Sequence, residues 1–196
     1  MDIGIIVLAA GSSSRMGRSK QLLEIDGQPL LCRSVHHALA AKPKHIVVVL
    51  GANEKPHRGV IEKLPVQIVS NFYWKTGMGG SIKTGLSYML QSGAQPDAVM
   101  LMVCDQPALT SGHLMKLIQK FKEKKKAIIA SHYADAAGVP VLFGRLFFSN
   151  LLLLGDEHGA KKIIQQFPDQ VATVDFPEGS FDLDTEEDYQ NYLNGK

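Results

Sequence analysis

Short runs of β-branched and apolar residues recur along the chain with amphipathic stretches between them, and this alternation limits the fold more than any other feature. The runs are Ile3 to Leu8, His45 to Leu50, Val66 to Ser70, Ala98 to Val103, Ala127 to His132 and Val171 to Asp175, which predict six strands. Between them, Leu31, Val35, Ala38 and Leu39 fall at helical spacing, as do Leu114, Leu117, Ile118 and Phe121, then Ile163, Ile164 and Phe167. Strands that alternate with helices imply right-handed crossovers. The reading is an α/β fold with a mostly parallel central sheet and helices on both faces.

Length and charge narrow the function classes without naming a partner. A chain of 196 residues with 45% hydrophobic residues is enough for one core, and no internal repeat or Pro/Gly/Ser linker divides it, so residues 1–196 are read as a single domain. Lys and Arg number 21 against 19 Asp and Glu, and a net charge of +2 offers no general field for nucleic acid or membrane. The densest charge run, Lys122 to Lys126, reads as the solvated end of a helix. No apolar run approaches the roughly 20 residues of a membrane span, and Asp2 stands where a signal peptide would be basic. The expectation is a cytoplasmic protein with neither a nucleic acid nor a membrane as partner. Cys32 and Cys104 form no CxxC pair, which argues against a disulfide framework or a structural zinc site.

In open α/β sheets chemistry concentrates at the carboxyl ends of strands. The first strand runs directly into Leu8-Ala9-Ala10-Gly11-Ser12-Ser13-Ser14-Arg15-Met16-Gly17-Arg18-Ser19-Lys20. Small residues let backbone N–H groups approach anionic oxygens, and Arg15 and Lys20 can neutralise charge that amides alone cannot. A Walker A loop is excluded by spacing, because five residues separate Gly11 and Gly17 and Arg18 follows. A dinucleotide fingerprint is excluded as well, since no glycine stands third or sixth from Gly11. The stretch resembles the signature of the nucleotidyltransferases that include the molybdenum cofactor cytidylyltransferase family. That resemblance runs from Ile5 to Asp188 and implies a three-layer, Rossmann-like nucleotidyltransferase fold. It further implies that residues Leu8 to Arg15 with Lys20 wrap the nucleotide triphosphate.

Carboxylates stand at two further places. The fourth strand ends in Cys104-Asp105-Gln106-Pro107, where Asp105 is set to hold a cation. Magnesium takes few protein carboxylates together with waters and phosphate oxygens, so one or two aspartates suffice. Near the C-terminus lies Phe181-Asp182-Leu183-Asp184-Thr185-Glu186-Glu187-Asp188; if extended, it puts Asp182 and Asp184 on one face. Thr185 and Asp188 read as the cap of a last helix with Tyr189, Tyr192 and Leu193 as its buried stripe. The resemblance makes Asp105 and Asp184 the Mg2+ ligands with Asp182 in support. Glu186 replaces the family's usual proline, a change expected to touch the helix start more than the metal.

The stretch Gly77-Met78-Gly79-Gly80-Ser81-Ile82-Lys83-Thr84-Gly85-Leu86 joins a loop to a helix carrying Ile82, Leu86, Met89 and Leu90, with Gly80 or Ser81 as its start. It resembles the segment that closes over the nucleotide base, where Gly79 and Ser81 would read a pyrimidine edge. Together with Ala10, which stands where related guanylyltransferases tend to carry glycine, it leans toward CTP. Gly138-Val139-Pro140-Val141-Leu142-Phe143 and Gly155-Asp156-Glu157-His158-Gly159-Ala160 resemble acceptor-side segments, the second with one extra residue. His158 is expected at the solvent surface. Phe72-Tyr73-Trp74 is expected to pack beside the glycine loop.

The combined reading is nucleotidyl transfer: Arg15, Lys20 and Asp105 catalytic, Mg2+ as cofactor, and CTP with molybdopterin as substrates, giving molybdopterin cytosine dinucleotide and pyrophosphate. A transient contact with a molybdenum hydroxylase would receive the product. The rival readings are a cytidylyltransferase for a sugar or polyol phosphate, and a nucleotide-binding maturation or delivery factor for a molybdenum hydroxylase.

Overall fold

The computed structural model describes residues 1–123 and 126–195. Lys124 and Lys125, inside the basic run, lie outside the described residues. In chain order the elements are β1 (Ile3–Ala9), a small hairpin of β2 (Glu24–Ile25) and β3 (Gln28–Pro29), α1 (Leu30–Ala40), β4 (His45–Leu50), α2 (Glu54–Ile61), β5 (Gln67–Ser70), α3 (Met78–Gln91) and β6 (Ala98–Val103). There follow α4 (Ser111–Glu123), β7 (Ile128–Tyr133), β8 (Ala136–Gly144), α5 (Phe148–Leu152), α6 (Lys161–Gln166), β9 (Val171–Asp175) and α7 (Glu186–Asn194). All six predicted strands are present, and the fold is α/β as read.

Seven strands form one sheet in the order β5-β4-β1-β6-β8-β7-β9. Only β8 runs antiparallel, against β6 and β7. Alternation of side chains along β1 divides the core between the two faces. Ile3, Ile5, Val7 and Ala9 meet Leu31 and Val35 of α1, Ile61 of α2 and Leu114 and Leu117 of α4. Ile6 and Leu8 meet Ile82, Leu86 and Met89 of α3, Leu151 of α5 and Ile163 and Ile164 of α6. Each such fully buried side chain contributes on the order of 2 kcal/mol of transfer free energy. Among the described residues no helix is long and apolar enough to cross a membrane.

A third cluster of Met16, Leu23, Ile25, Leu30, Leu183 and Tyr189 ties the hairpin and the first loop to the C-terminal segment. The Tyr189 hydroxyl donates to the carbonyl of Glu24 at 2.7 Å, and Arg18 grips Glu186 with two nitrogens at 2.8 and 2.9 Å. The capping box of Thr185 and Asp188 is formed. Glu186, the departure from the family pattern, opens α7 and pins the first loop to it.

Several expectations need correction. Strand β8 is not among the six predicted strands; it carries Pro140, a residue that a central strand disfavours. Pro140 is tolerated because the β7–β8 register slips between Ala130 and Ser131, and β6 pairs with β8 only from Val141 onward. Helix α3 starts at Met78, not at Gly80 or Ser81, since Gly77 is its cap. In α7 only Tyr189 is buried, and Leu193 is 37% exposed. Phe72 and Tyr73 project into solvent at 84% and 77% exposure, so Trp74 alone of that trio packs on the core.

Helix α3 lies close on the sheet because Gly85 faces it: a Cβ there would stand 2.7 Å from Cγ2 of Ile6 and 2.8 Å from Cγ2 of Val49. Alanine gains up to about 1 kcal/mol of helix propensity, whereas overpacking costs about 1–3 kcal/mol. Gly85→Ala is therefore expected to lower the thermal midpoint by several degrees in a melting experiment, while Gly59→Ala, which meets nothing within 4 Å, raises it or leaves it unchanged.

Candidate functional site

The chain leaves β1, builds β4 and β5 on one side, then returns to lay β6 against the other side of β1. The carboxyl ends of β1 and β6 therefore flank the switch point, with Leu8 paired to Val103 at the rim. A cavity of about 420 Å³ opens there, lined by Leu8 and Ala9 at the end of β1, Ala10 and Gly11 after it, Cys104 and Asp105 after β6, and Asp182 and Asp184 from the C-terminal segment. Arg15, Lys20, Gln21 and Ser81 complete its polar wall, and Trp74 and Met78 belong to its apolar one. Ser12, Ser13, Ser14 and Gly79 are not part of the wall. Another groove of about 450 Å³, edged by Lys42, Lys44 and Lys122, has no carboxylate in its lining.

The charged residues singled out in the sequence meet in one ion cluster. The Lys20 ammonium stands 2.5 Å from Asp105 Oδ2 and 3.1 Å from Asp184 Oδ1. Arg15 holds the other oxygen of Asp184 at 2.8 Å. Burial alone would lower the Lys20 pKa, but the Asp105 charge and hydrogen bonds to Asp105 and Asp184 outweigh it and raise the value. Asp182 makes none of these pairs; desolvation, then repulsion by Asp105 and Asp184, pushes its carboxyl up to about 6. Leu183, fully buried, anchors the segment, and its N–H donates to the Asp105 carbonyl at 2.9 Å. Asp105 and Asp184 come from mid-chain and from near the C-terminus, yet one backbone hydrogen bond sets their spacing.

Asp105 Oδ1 is buried and has no hydrogen-bond partner among the described residues. An anionic oxygen in that condition suits a cation. A hard divalent ion with waters and phosphate oxygens fits two carboxylates of this kind, and among the described residues no cluster of three His, Cys, Asp or Glu side chains offers a self-sufficient metal cage.

The backbone of the first loop is shaped for an anion. Ser13 adopts the left-handed conformation at φ 55°, and among the described residues no N–H from Gly11 to Ser14 has a protein acceptor. On the opposite wall Ser81 is buried and its Oγ accepts from Asn71 Nδ2 at 3.0 Å, which leaves the hydroxyl proton to donate into the cavity. Gly79 contributes differently from the sequence reading: its N–H is spent on the Asp156 carbonyl at 2.8 Å. A Cβ there would lie 2.9 Å from the His158 carbonyl, so glycine is needed for the 155–159 loop to dock on α3. That loop accommodates its extra residue by turning Glu157 outward, where it pairs with a half-buried His158 at 2.9 Å. Sequence reasoning missed Asn71, Gln21 and His57, neutral side chains whose roles are set by the partners they meet in the fold.

A MobA-like NTP transferase domain matches residues 5–171. The purine catabolism protein PucB of Bacillus subtilis is 25% identical over 82% of this chain and 79% of its own. The nicotine blue oxidoreductase of Paenarthrobacter nicotinovorans is 26% identical over 96% and 95%. A probable molybdenum cofactor guanylyltransferase of Thermococcus sibiricus is 28% identical over 63% and 58%. The chain spans about a third of the length of the bifunctional GlmU proteins it also matches. Among solved structures, the Rv0371c homologue of Mycobacterium sp. strain JC1 superposes with a TM-score of 0.81 at 26% identity, covering 98% of this chain and 96% of that one. The manganese complex of Rv0371c from Mycobacterium tuberculosis superposes at 0.78 with 24% identity over the whole of both chains, a likeness of fold.

Lys20→Met leaves Asp105 and Asp184 facing each other and is expected to cost about 2 kcal/mol at pH 7, measured by urea unfolding. Adding Asp105→Asn should recover part of that loss. A raised pKa means that the Lys20 contribution is complete below its ordinary 10.5 and fades as pH climbs through the folded value. The stability difference between wild type and Lys20→Met should therefore shrink above about pH 10.5.

Proposed function

This chain belongs to the MobA-like NTP transferase family, and from that premise we propose that it transfers the cytidylyl group of CTP to the terminal phosphate of molybdopterin. The products are molybdopterin cytosine dinucleotide and pyrophosphate. The observation that carries this reading is the ion cluster of Arg15, Lys20, Asp105 and Asp184 at the switch point between β1 and β6. A magnesium triphosphate brings both signs of charge, so it can exchange partners with both halves of that cluster.

An acceptor phosphate oxygen attacks the α-phosphorus, a new P–O bond forms, and the bond to the bridging oxygen breaks to release pyrophosphate. Residues Leu8 to Ser14 supply backbone for the triphosphate, and Arg15 and Lys20 neutralise the departing pyrophosphate. Asp105 and Asp184 would hold Mg2+ with Asp182 in support, and the ion supplies charge neutralisation at the reacting phosphate when bound. The donor hydroxyl of Ser81 favours a base edge with an acceptor, as cytosine O2 and N3 provide. No protein nucleophile is required, and rate enhancement rests on alignment and charge. Support for molybdopterin comes from the resemblance of the acceptor-side segments and from the molybdenum cofactor guanylyltransferase relative. Delivery to a molybdenum hydroxylase in the cytoplasm, by a chain acting as one domain, completes the reading.

The test is pyrophosphate release with CTP, GTP or ATP against molybdenum-loaded molybdopterin and against a panel of sugar and polyol phosphates. Turnover with CTP and molybdopterin is expected. Preference for a sugar phosphate moves the acceptor assignment, and nucleotide binding without turnover on any acceptor favours a delivery factor. Asp105→Asn should reduce turnover by at least about 100-fold with the fold intact, since preorganised charge of this kind is commonly worth that much. Lys20→Ala should raise the KM for CTP far more than Lys116→Ala on the exposed face of α4; equal kinetics would remove Lys20 from the site.

A further inference from the structure

Behind the phosphate loop runs a buried hydrogen-bond chain that the ion cluster does not use. Its centre is Gln21, only 1% exposed. The Gln21 amide nitrogen donates to the carbonyls of Gly11 at 2.8 Å and Ala9 at 3.3 Å. Its oxygen accepts from the hydroxyls of Ser19 at 2.8 Å and Ser13 at 3.1 Å. Ser13 in turn accepts from the Lys20 N–H at 3.1 Å. From α2, fully buried His57 reaches the Ser19 hydroxyl through Nε2, while its Nδ1 is buried with no partner among the described residues.

Proton counting gives this chain one direction. The opposite orientation of the Gln21 amide would set its oxygen against two carbonyls, so the amide is fixed. Ser19 has one proton and gives it to Gln21, so it must receive one from His57 Nε2. The tautomer with the proton on Nδ1 would bury an unpaired N–H, the costlier orphan, so the lone pair is left there instead. Donation therefore runs from His57 to Ser19, to Gln21, to the loop carbonyls. Ala10, between those carbonyls, gives its own oxygen to the Ala52 N–H at 3.0 Å. Three successive carbonyls are thus spent on protein donors, next to the run of N–H groups from Gly11 to Ser14 that have no protein acceptor among the described residues.

We propose that Gln21 and His57 are positioning residues for the triphosphate: they hold the carbonyls of Ala9 and Gly11 away from the anion so that the loop presents N–H groups to it. A carbonyl rotated toward the cavity would oppose phosphate with a negative dipole end, and every other rotamer of Gln21 forfeits its paired donors. The inference rests on the reading of the loop as a triphosphate site. Neither residue acts on the reacting atoms; each acts through the loop backbone.

The experiment measures binding of inorganic tripolyphosphate with Mg2+ by calorimetry, well below the melting temperature of each protein. Gln21→Met keeps side-chain length without amide groups, His57→Leu removes the Nε2 donor, and His57→Gln restores an N–H near the same place. Wild type should bind. If it does not, the triphosphate reading itself fails, and this inference falls with it. Given binding, Gln21→Met should weaken it by about tenfold or more, the size expected for a buried hydrogen-bond centre. His57→Leu should weaken it several-fold, and His57→Gln should return to within about twofold of wild type. Wild-type affinity in folded Gln21→Met or His57→Leu overturns the proposal while leaving the triphosphate reading standing. Failure of His57→Gln to recover binding overturns the part assigned to His57. Should Gln21→Met not fold, the comparison of His57→Leu with His57→Gln decides alone.

Discussion

One ammonium between two carboxylates organises this molecule. Asp105 ends a central strand, Asp184 arrives from a segment near the C-terminus, and Lys20 sits in the loop that follows the first strand. Without a cation the two acids would repel, because charges a few ångströms apart at a half-buried site interact by several kcal/mol. The ammonium therefore closes the chain on itself across 85 and 164 residues of sequence. The third core cluster, the Arg18–Glu186 pair and the Tyr189 hydroxyl bond serve the same closure from outside, by fixing α7 to the loop. Apolar burial brings the segment to the site, and charge sets where it stops.

The sheet order explains why this happens at β1 and β6. A parallel sheet built outward in both directions from β1 leaves a crevice above the strand where the direction reverses. Loops on the two sides of that crevice cannot cover it, so backbone N–H groups and carboxylates reach open space there. The loop after β1 is short of side-chain bulk from Ala9 to Ser14, which leaves its polarity to be set by which way its peptide groups face. That orientation is decided by Gln21, whose own side chain is packed away from solvent.

Period and composition made the α/β class legible, along with the six parallel-forming strands, because each is apolar enough to be recognised alone. Strand β8 escaped because Pro140 is a local argument against a strand, and the bulge that admits it, Val139 and Pro140 opposite the step from Ala130 to Ser131, appears only when β8 is paired with β7. The start of α3 at Met78 escaped for a related reason: Gly77 caps the helix without a side chain, while Asp156, 77 residues from Gly79, accepts a first-turn N–H. At the site, residues with their own chemistry were readable: Arg15, Lys20, Asp105 and Asp184 stand out by charge at strand ends. Gln21, His57 and Asn71 were not, since an amide or imidazole acquires its meaning from partners that only the folded chain supplies.

Asp156 shows how the two sides of the cavity are mechanically joined. Its carbonyl accepts from Gly79 in the first turn of α3, and its carboxylate pairs with Lys83 one turn further on. Both contacts favour the helix N-terminus, where a negative group complements the dipole. Ser81 lies between these two attachment points and forms part of the cavity wall. The 155–159 loop, similar to an acceptor-side segment in sequence, is thus a support for α3 in structure. The added residue leaves that support intact because Glu157 turns to solvent and the glycines on either side keep their approach. Any shift of the loop must move Asp156, and through it the turn that carries Ser81. The wall that carries Ser81 and the 155–159 loop are therefore one mechanical unit, joined at Gly79.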